Sequence, residues 1–113
     1  MLQMLTEAQE RLMTHAQENV LNAIPYGKEN AKPRDKLCEE THMDDRKVRA
    51  IIAELRDFEL ICSKSGFDGY WRPTNREEVK EFLSENTKKI KSLFKICRLA
   101  REYLKNHEDQ LHA

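Results

Sequence analysis

The chain has 113 residues, enough for one small domain with a modest core and too few for a domain with a deep catalytic cleft and a lid. Lysine plus arginine and aspartate plus glutamate number 20 each, so the formal net charge is zero and no overall basic balance points to nucleic acid. Three cysteines without C-x-x-C spacing, and no apolar run of membrane-spanning length, indicate a cytoplasmic protein with reduced thiols and no membrane partner.

Residues 1–24 predict one long helix, because apolar residues recur at helical spacing from Leu2 onward. We assign it as the first helix of the domain, with a share in dimerisation. Pro25 ends it, since proline disfavours helix in the preceding residue and cannot continue the hydrogen-bond ladder. Residues 25–32 are then expected to form a loop, with a short extended piece at residues 30–32.

A second helix is predicted to begin at Pro33, which suits the first helical position because its missing N–H would have no partner there. This helix is short and turns Leu37 and Cys38 inward. A turn at residues 41–43 follows. The order of helix, turn and helix predicts a helix-turn-helix.

The third helix is predicted over residues 44–58. Asp44 suits the N-cap, and Met43 can pack on the fourth helical residue as a hydrophobic staple. One apolar stripe comprises Val48, Ile51, Ile52 and Leu55. Arg46, Ala50 and Ala53 point away from that stripe, so an arginine and two small residues are presented together. This combination lets a helix backbone approach the major groove of DNA closely.

After the third helix the periodicity changes to that of strands. Residues 60–63 and 69–72 are β-prone runs separated by a five-residue loop, which predicts a hairpin. Core packing is the expected role of Trp71, because an indole buries a large area. Residues 25–74 are therefore assigned to a helix-turn-helix followed by a hairpin. Thr74 and Glu77 match a capping box that opens the next helix.

The last helix is predicted from Asn75 to Asn106, within a C-terminal segment of residues 75–113 assigned to dimerisation and packing. Apolar residues in two seven-residue series form a seam along it. The expected dimerisation residues are Leu83, Ile90, Leu93, Cys97, Ala100 and Leu104. The terminal helices carry more apolar surface than so small a domain can cover, which predicts a homodimer.

The basic stretch from Lys88 to Arg101 has two interpretations. It could extend phosphate contacts along a duplex and give binding a steep salt dependence. It could equally be the solvated side of a helix whose other side is buried, which is the usual role of like-signed charge. A membrane-surface helix is a third interpretation, but the seven-residue period favours a partner helix.

The run RDKLCEETHMDDRKVRAIIAELRD, followed by LICS, GYW and the helix start EEVKEFL, resembles the small winged-helix proteins of bacteriophages and prophages. The resemblance covers about residues 20 to 85. Such motifs often have glycine in the turn where this chain has His42, which must then tolerate a left-handed backbone. It implies a mainly α fold with a small β-hairpin, a winged helix-turn-helix with long N- and C-terminal helices. It also implies a double-stranded DNA partner and a function in transcription regulation or replication control. The DNA-binding residues it implies are Arg46, Lys47, Arg49, Ala50, Arg34, Lys64 and Arg72.

Two alternatives stay open for the charged face of the third helix. Charged residues opposite an apolar stripe are usually just solvated, and Asp44, Asp45 and Glu54 dilute the positive potential. The chain could then be an adaptor that binds protein through its winged helix and C-terminal helix without DNA contact.

Catalysis and cofactors find little support in the sequence. Cys38 and His42 stand four residues apart, but no second pair has ligand spacing, so we expect no metal. No phosphate-binding glycine loop, paired acids or nucleophile motif is present. We therefore expect no enzyme activity, no cofactor and no small-molecule substrate.

Overall fold

The computed structural model describes residues 13–64 and 66–107, and the chain divides into two compact units, one reaching to Val79 and one beginning at Lys80. The elements in chain order are α1 (His15–Ala23), a 3₁₀ turn (Lys28–Asn30), α2 (Arg34–Thr41), α3 (Asp45–Leu55), β1 (Cys62–Lys64), β2 (Phe67–Trp71) and α4 (Arg76–Asn106). The described chain is thus mainly helical with a two-stranded antiparallel sheet, as predicted. None of the described helices is both long enough and apolar enough to cross a membrane.

The first helix begins later than predicted, because Thr14 is in an extended conformation and caps α1. The Gln17 N–H donates to the Thr14 hydroxyl, and the Thr14 N–H donates to the Gln17 side chain, both at 3.1 Å. This reciprocal capping box satisfies two N–H groups that the helix leaves without partners. The prediction of a helix that continues through Thr14 is therefore wrong. The part of that prediction that concerns residues 2–12 lies outside the described residues. Pro25 ends the helix as expected.

The turn between α2 and α3 has the predicted local geometry. His42 adopts the left-handed conformation, with φ 58° and ψ 37°. The Asp44 carboxylate caps α3 by accepting from the Lys47 N–H at 2.8 Å. Met43 packs against the hydrophobic core, as a staple requires. Two small differences are that Pro33 precedes α2 rather than beginning it, and that α3 ends three residues earlier than predicted.

The core of the first unit lies between α1, α2 and α3. Its buried members are Val20, Leu21, Ile24, Leu37, Val48, Ile51, Ile52, Leu55 and Ile61. The whole predicted stripe of α3 is therefore inward, and Leu37 is fully buried as predicted, while Cys38 packs at the edge. Burying one stripe of an amphipathic helix fixes which residues face away from the core.

The two strands of the hairpin lie closer together in the sequence than predicted, since β1 ends at Lys64 and β2 begins at Phe67. Cys62 pairs with Trp71, and the register is irregular toward the loop. Trp71 is buried, which confirms its predicted packing role. The strand β2 also pairs with the α1–α2 connection, because Lys32 and Tyr70 exchange backbone hydrogen bonds of 3.0 and 2.9 Å. The predicted extended piece at residues 30–32 is thus confirmed at Lys32, after the 3₁₀ turn.

Two arginines hold the hairpin against the helices. The Arg56 guanidinium, just after α3, donates to the Ile61 carbonyl at 2.9 and 3.1 Å and to the Ser63 hydroxyl at 3.0 Å. The Arg72 guanidinium donates to the Ile24 carbonyl at 3.1 Å. Charged donors make stronger hydrogen bonds than neutral ones, so these contacts fix both ends of the hairpin.

The start of α4 is fixed by Glu78, which is buried. Its carboxylate accepts from the Lys28 N–H at 2.7 Å, the Thr74 hydroxyl at 2.7 Å, the Thr74 N–H at 3.2 Å and the Asn75 amide at 3.0 Å. Asn75 in turn accepts from the Glu78 N–H at 3.0 Å. The capping box predicted at Thr74 and Glu77 is therefore wrong by one residue. At Glu78 the carboxylate also accepts from the first residue of the 3₁₀ turn, which adds a contact beyond the start of the helix itself.

We expect Glu78→Gln to destabilise the fold at neutral pH and to matter less in acid. Hydrogen bonds from Thr74, chiefly its hydroxyl, and from the Lys28 N–H hold the pKa of Glu78 below its usual range, although burial opposes them. A lowered pKa contributes stability above the ordinary glutamate value of about 4.3, and that stability is lost as pH falls through the lowered value. Urea unfolding of both proteins across this range measures the difference.

Asp57→Asn removes the same charge from an exposed position elsewhere in the first unit and serves as the control. It should leave the unfolding midpoint close to that of the parent at every pH. A midpoint difference for Glu78→Gln that stays constant from neutral to strongly acidic solution would contradict the assigned role of the ionised carboxylate.

Candidate nucleic-acid interface

The outward face of α3 is the surface on which the sequence placed DNA contacts. The structure leaves exposed all four predicted residues of this helix, which are Arg46, Lys47, Arg49 and Ala50. Arg46, Ala50 and the exposed Ala53 lie opposite the buried stripe at about 100° per residue. Lys47 and Arg49 lie on opposite flanks of that line. The outward face of α3 therefore has one arginine, Arg46, at its centre with the two small side chains of Ala50 and Ala53 beside it.

One flank of this face is neutralised by Asp45. The Arg49 guanidinium lies 3.0 Å from the Asp45 carboxylate, one turn away on the same helix. Arg34, at the start of α2, donates to the other oxygen of the same carboxylate. Hydrogen bonds to Asp45 and then to Tyr70 raise the pKa of the Arg34 guanidinium, so it stays a cation. Two predicted contact residues are therefore brought together around one shared acid.

The other flank carries charges of both signs. Lys47 is exposed there, and Glu54 lies two turns further along the same side. The Glu54 carboxylate accepts from the Gln17 side chain at 2.9 Å, which draws it toward α1. Across residues 13–64 and 66–107, Arg46 takes part in no ion pair. Its charge therefore faces solvent with no direct ion-pair partner among the described residues.

The two predicted hairpin contacts are placed differently from each other. Lys64 is half-buried at the end of β1. The Arg72 guanidinium lies 4.0 Å from the centre of the Tyr26 ring, besides donating to Ile24, so it is held by the body of the first unit. A phosphate contact at Arg72 stays a prediction. The observed partners of Arg72, Ile24 and Tyr26, hold the end of the hairpin against the first unit.

The sequence analysis did not predict that Asp45 pairs with Arg34 and Arg49 at this surface. Its spacing of four from Arg49 on a helix was a usable signal, because such pairs face each other. The link to Arg34 had no comparable signal, since those residues belong to different helices. Their approach depends on how α2 and α3 pack in the core.

A metal site and a thiol nucleophile at Cys38 or Cys62 are two chemical alternatives to nucleic-acid binding. In the part of the chain that the structure describes, no three His, Cys, Asp or Glu side chains cluster as metal ligands. Burial raises the pKa of the Cys62 thiol to about 11, and burial followed by the charge of Asp45 raises the pKa of Cys38. Both thiols are therefore neutral near physiological pH, whereas a thiol nucleophile must be ionised.

Comparison of the chain with protein-family models, with curated proteins and with solved structures found no match.

Proposed function

We propose that α1 to β2 constitute a winged helix-turn-helix that binds double-stranded DNA, with α3 entering the major groove. The observation that carries the proposal is the exposed line of Arg46, Ala50 and Ala53 on a helix whose opposite side is fully buried. A rigidly held helix loses little conformational entropy on binding, and small residues allow close approach to base edges. Arg46 supplies the fork that hydrogen-bonds guanine in the commonest specific contact.

The hairpin is the wing in this proposal. It follows α3 in the chain, and Arg56, just after that helix, donates a hydrogen bond to Ser63 in β1. Lys64 lies at the end of β1, next to the connecting residues. A cation there suits contact with backbone phosphate, which positions a protein on DNA without reading sequence.

The biological setting we propose is a cytoplasmic regulator of the bacteriophage or prophage type. The support is the resemblance of residues 20 to 85 to such winged-helix proteins. Selection of bound duplexes from a random pool tests sequence recognition directly. An enriched motif supports the proposal, whereas a pool that stays random over successive rounds contradicts sequence-specific binding.

We expect replacement of Arg46 and Arg49 together by alanine to weaken duplex binding by about ten- to a hundredfold. Each lost contact of this kind costs about 1–3 kcal/mol, and some of the Arg49 contribution is already offset by Asp45. Fluorescence anisotropy at low salt with a selected duplex measures the loss. Circular dichroism checks that the helices persist.

The matched control removes two cations from elsewhere on the first unit. Lys36 on α2 and Arg76 at the start of α4 are both exposed. Their double alanine variant should retain binding within about twofold, apart from a small effect of net charge. Equal losses in the two double variants would show that α3 is not the contact surface.

We expect Asp45→Asn to strengthen DNA binding by about three- to tenfold, because it releases Arg34 and Arg49 from their shared counter-ion and removes a charge that repels phosphate. The helix loses a favourable acid at its first turn, which costs about 0.3–1 kcal/mol of stability. Asp35→Asn makes the same change of charge on α2. An equal gain in DNA affinity in both variants would show that the gain comes from net charge alone, which would contradict the assigned role of Asp45.

A second candidate is a protein-binding adaptor, favoured by the observation that Asp45 neutralises one flank of α3. The dependence of binding on salt separates the two functions. A slope of several units in log K against log salt indicates release of ions from phosphates and fits DNA binding. Absence of binding to any duplex at low salt fits the adaptor.

A further inference from the structure

The helix α4 exposes a large amount of apolar surface along its second and later turns. Eight large apolar side chains between positions 83 and 104 are 52% to 67% exposed. They are Leu83, Ile90, Leu93, Phe94, Ile96, Leu99, Tyr103 and Leu104. Soluble monomers rarely expose contiguous apolar patches larger than a few hundred Å². Full burial of the seven side chains other than Leu99, at about 60–120 Å² each, would reach several hundred Å² per chain, which approaches the area of a stable interface.

The apolar residues lie in an order that suits one partner helix. Val79, Asn86, Leu93 and Ala100 form one seven-residue series, and Leu83, Ile90, Cys97 and Leu104 form the other. These two series together make the continuous seam of a coiled coil. Leu99 lies far from the seam on a helical wheel of about 100° per residue, whereas most of the remaining exposed apolar residues flank it.

Charge is unevenly distributed along the same helix. Residues 76–85 contain four acids against two bases, and residues 88–105 contain seven bases against the single acid Glu102. Two parallel copies would place basic half beside basic half over their whole length, which is repulsive at the spacing of packed helices. Two antiparallel copies can instead place residues 98–105 of each, with three bases and one acid, beside residues 78–85 of the other, with three acids and one base.

We propose that α4 pairs antiparallel with α4 of a second copy of this chain. The pairing buries the seam and places the basic end of each α4 beside the acidic start of the other. It concerns α4 alone and does not depend on the proposed DNA binding of α3.

The register follows from matching the two series in opposite directions. One antiparallel register pairs every seam residue from Val79 to Leu104, and its facing pairs are Val79 with Leu104, Leu83 with Ala100, Asn86 with Cys97 and Ile90 with Leu93. In this register a large leucine faces the small Ala100. Asn86 faces Cys97 rather than a leucine, so the polar side chain does not oppose a large apolar one. Phe82 and Tyr103 come together beside the seam and extend the apolar contact.

Cysteine cross-linking of the full chain tests orientation and register. In Asn86→Cys, mild oxidation is expected to join the sulfur introduced at position 86 to Cys97 of the other copy, giving a covalent dimer whose linked peptides mass spectrometry identifies. These positions are about 16 Å apart within one helix, too far for an intrachain disulfide. Lys88→Cys introduces a sulfur on the opposite side of the helix and should not join Cys97.

Each other outcome overturns the proposal. A Cys97 to Cys97 disulfide in the parent protein, or an 86 to 86 disulfide in the variant, shows parallel pairing. A protein that sediments as a monomer at tens of micromolar and gives no covalent dimer shows that α4 does not pair with itself. Retained DNA binding in either case would leave the function of α3 unaffected.

A charge in the seam provides a second test. Leu93→Glu is expected to convert the dimer to a monomer in sedimentation equilibrium at the concentration where the parent is dimeric. Leu99→Glu makes the same substitution outside the seam and should remain dimeric. Dissociation by both substitutions, or by neither, would contradict burial of the proposed seam.

Discussion

Burial of the α3 stripe is the interaction on which the rest of the first unit depends. Val48, Ile51, Ile52 and Leu55 are all buried against α1 and α2. At about 1.5–3 kcal/mol for each fully buried side chain, the stripe contributes a gross stabilisation comparable to the whole net stability of a small domain. Rotating α3 would expose part of that stripe. The residues on its outward face are therefore held in place by the core and need no contacts of their own to be positioned.

Acidic residues at the start of α3 serve stability and oppose anion binding at the same place. Asp44 satisfies a backbone N–H, and Asp45 has a favourable position in the first turn of the helix. The same two charges lower the positive potential around Arg46. Asp45 also holds Arg34 and Arg49 in defined positions, which orders the side chains at the expense of their net charge. Acidic and basic side chains therefore offset each other at this surface, as they do over the whole chain.

Local signals predicted most of the first unit, and long-range contacts account for what they missed. The cap at Asp44, the left-handed His42 and the inward stripe of α3 each depend on residues within one or two turns. By contrast, Thr74 with Glu77 and Asn75 with Glu78 fit a capping pattern about equally well. The Lys28 N–H decides between them, although it lies 50 residues away in the chain. The start of α1 was missed for another reason, since apolar periodicity continues across the capping box at Thr14.

The charges of α4 show why a net charge of zero says little about the partners of this chain. Lys88, Lys91, Lys95 and Arg98 lie on the side of the helix away from the seam, at about 100° per residue. A partner helix on the seam leaves these cations in solvent, so self-pairing and phosphate contact by the basic side are compatible. A membrane surface would instead need the apolar side itself and would compete with the second copy. A second helix and a membrane surface are therefore alternative partners for the apolar side of α4. The seven-residue spacing of its apolar residues favours the helix.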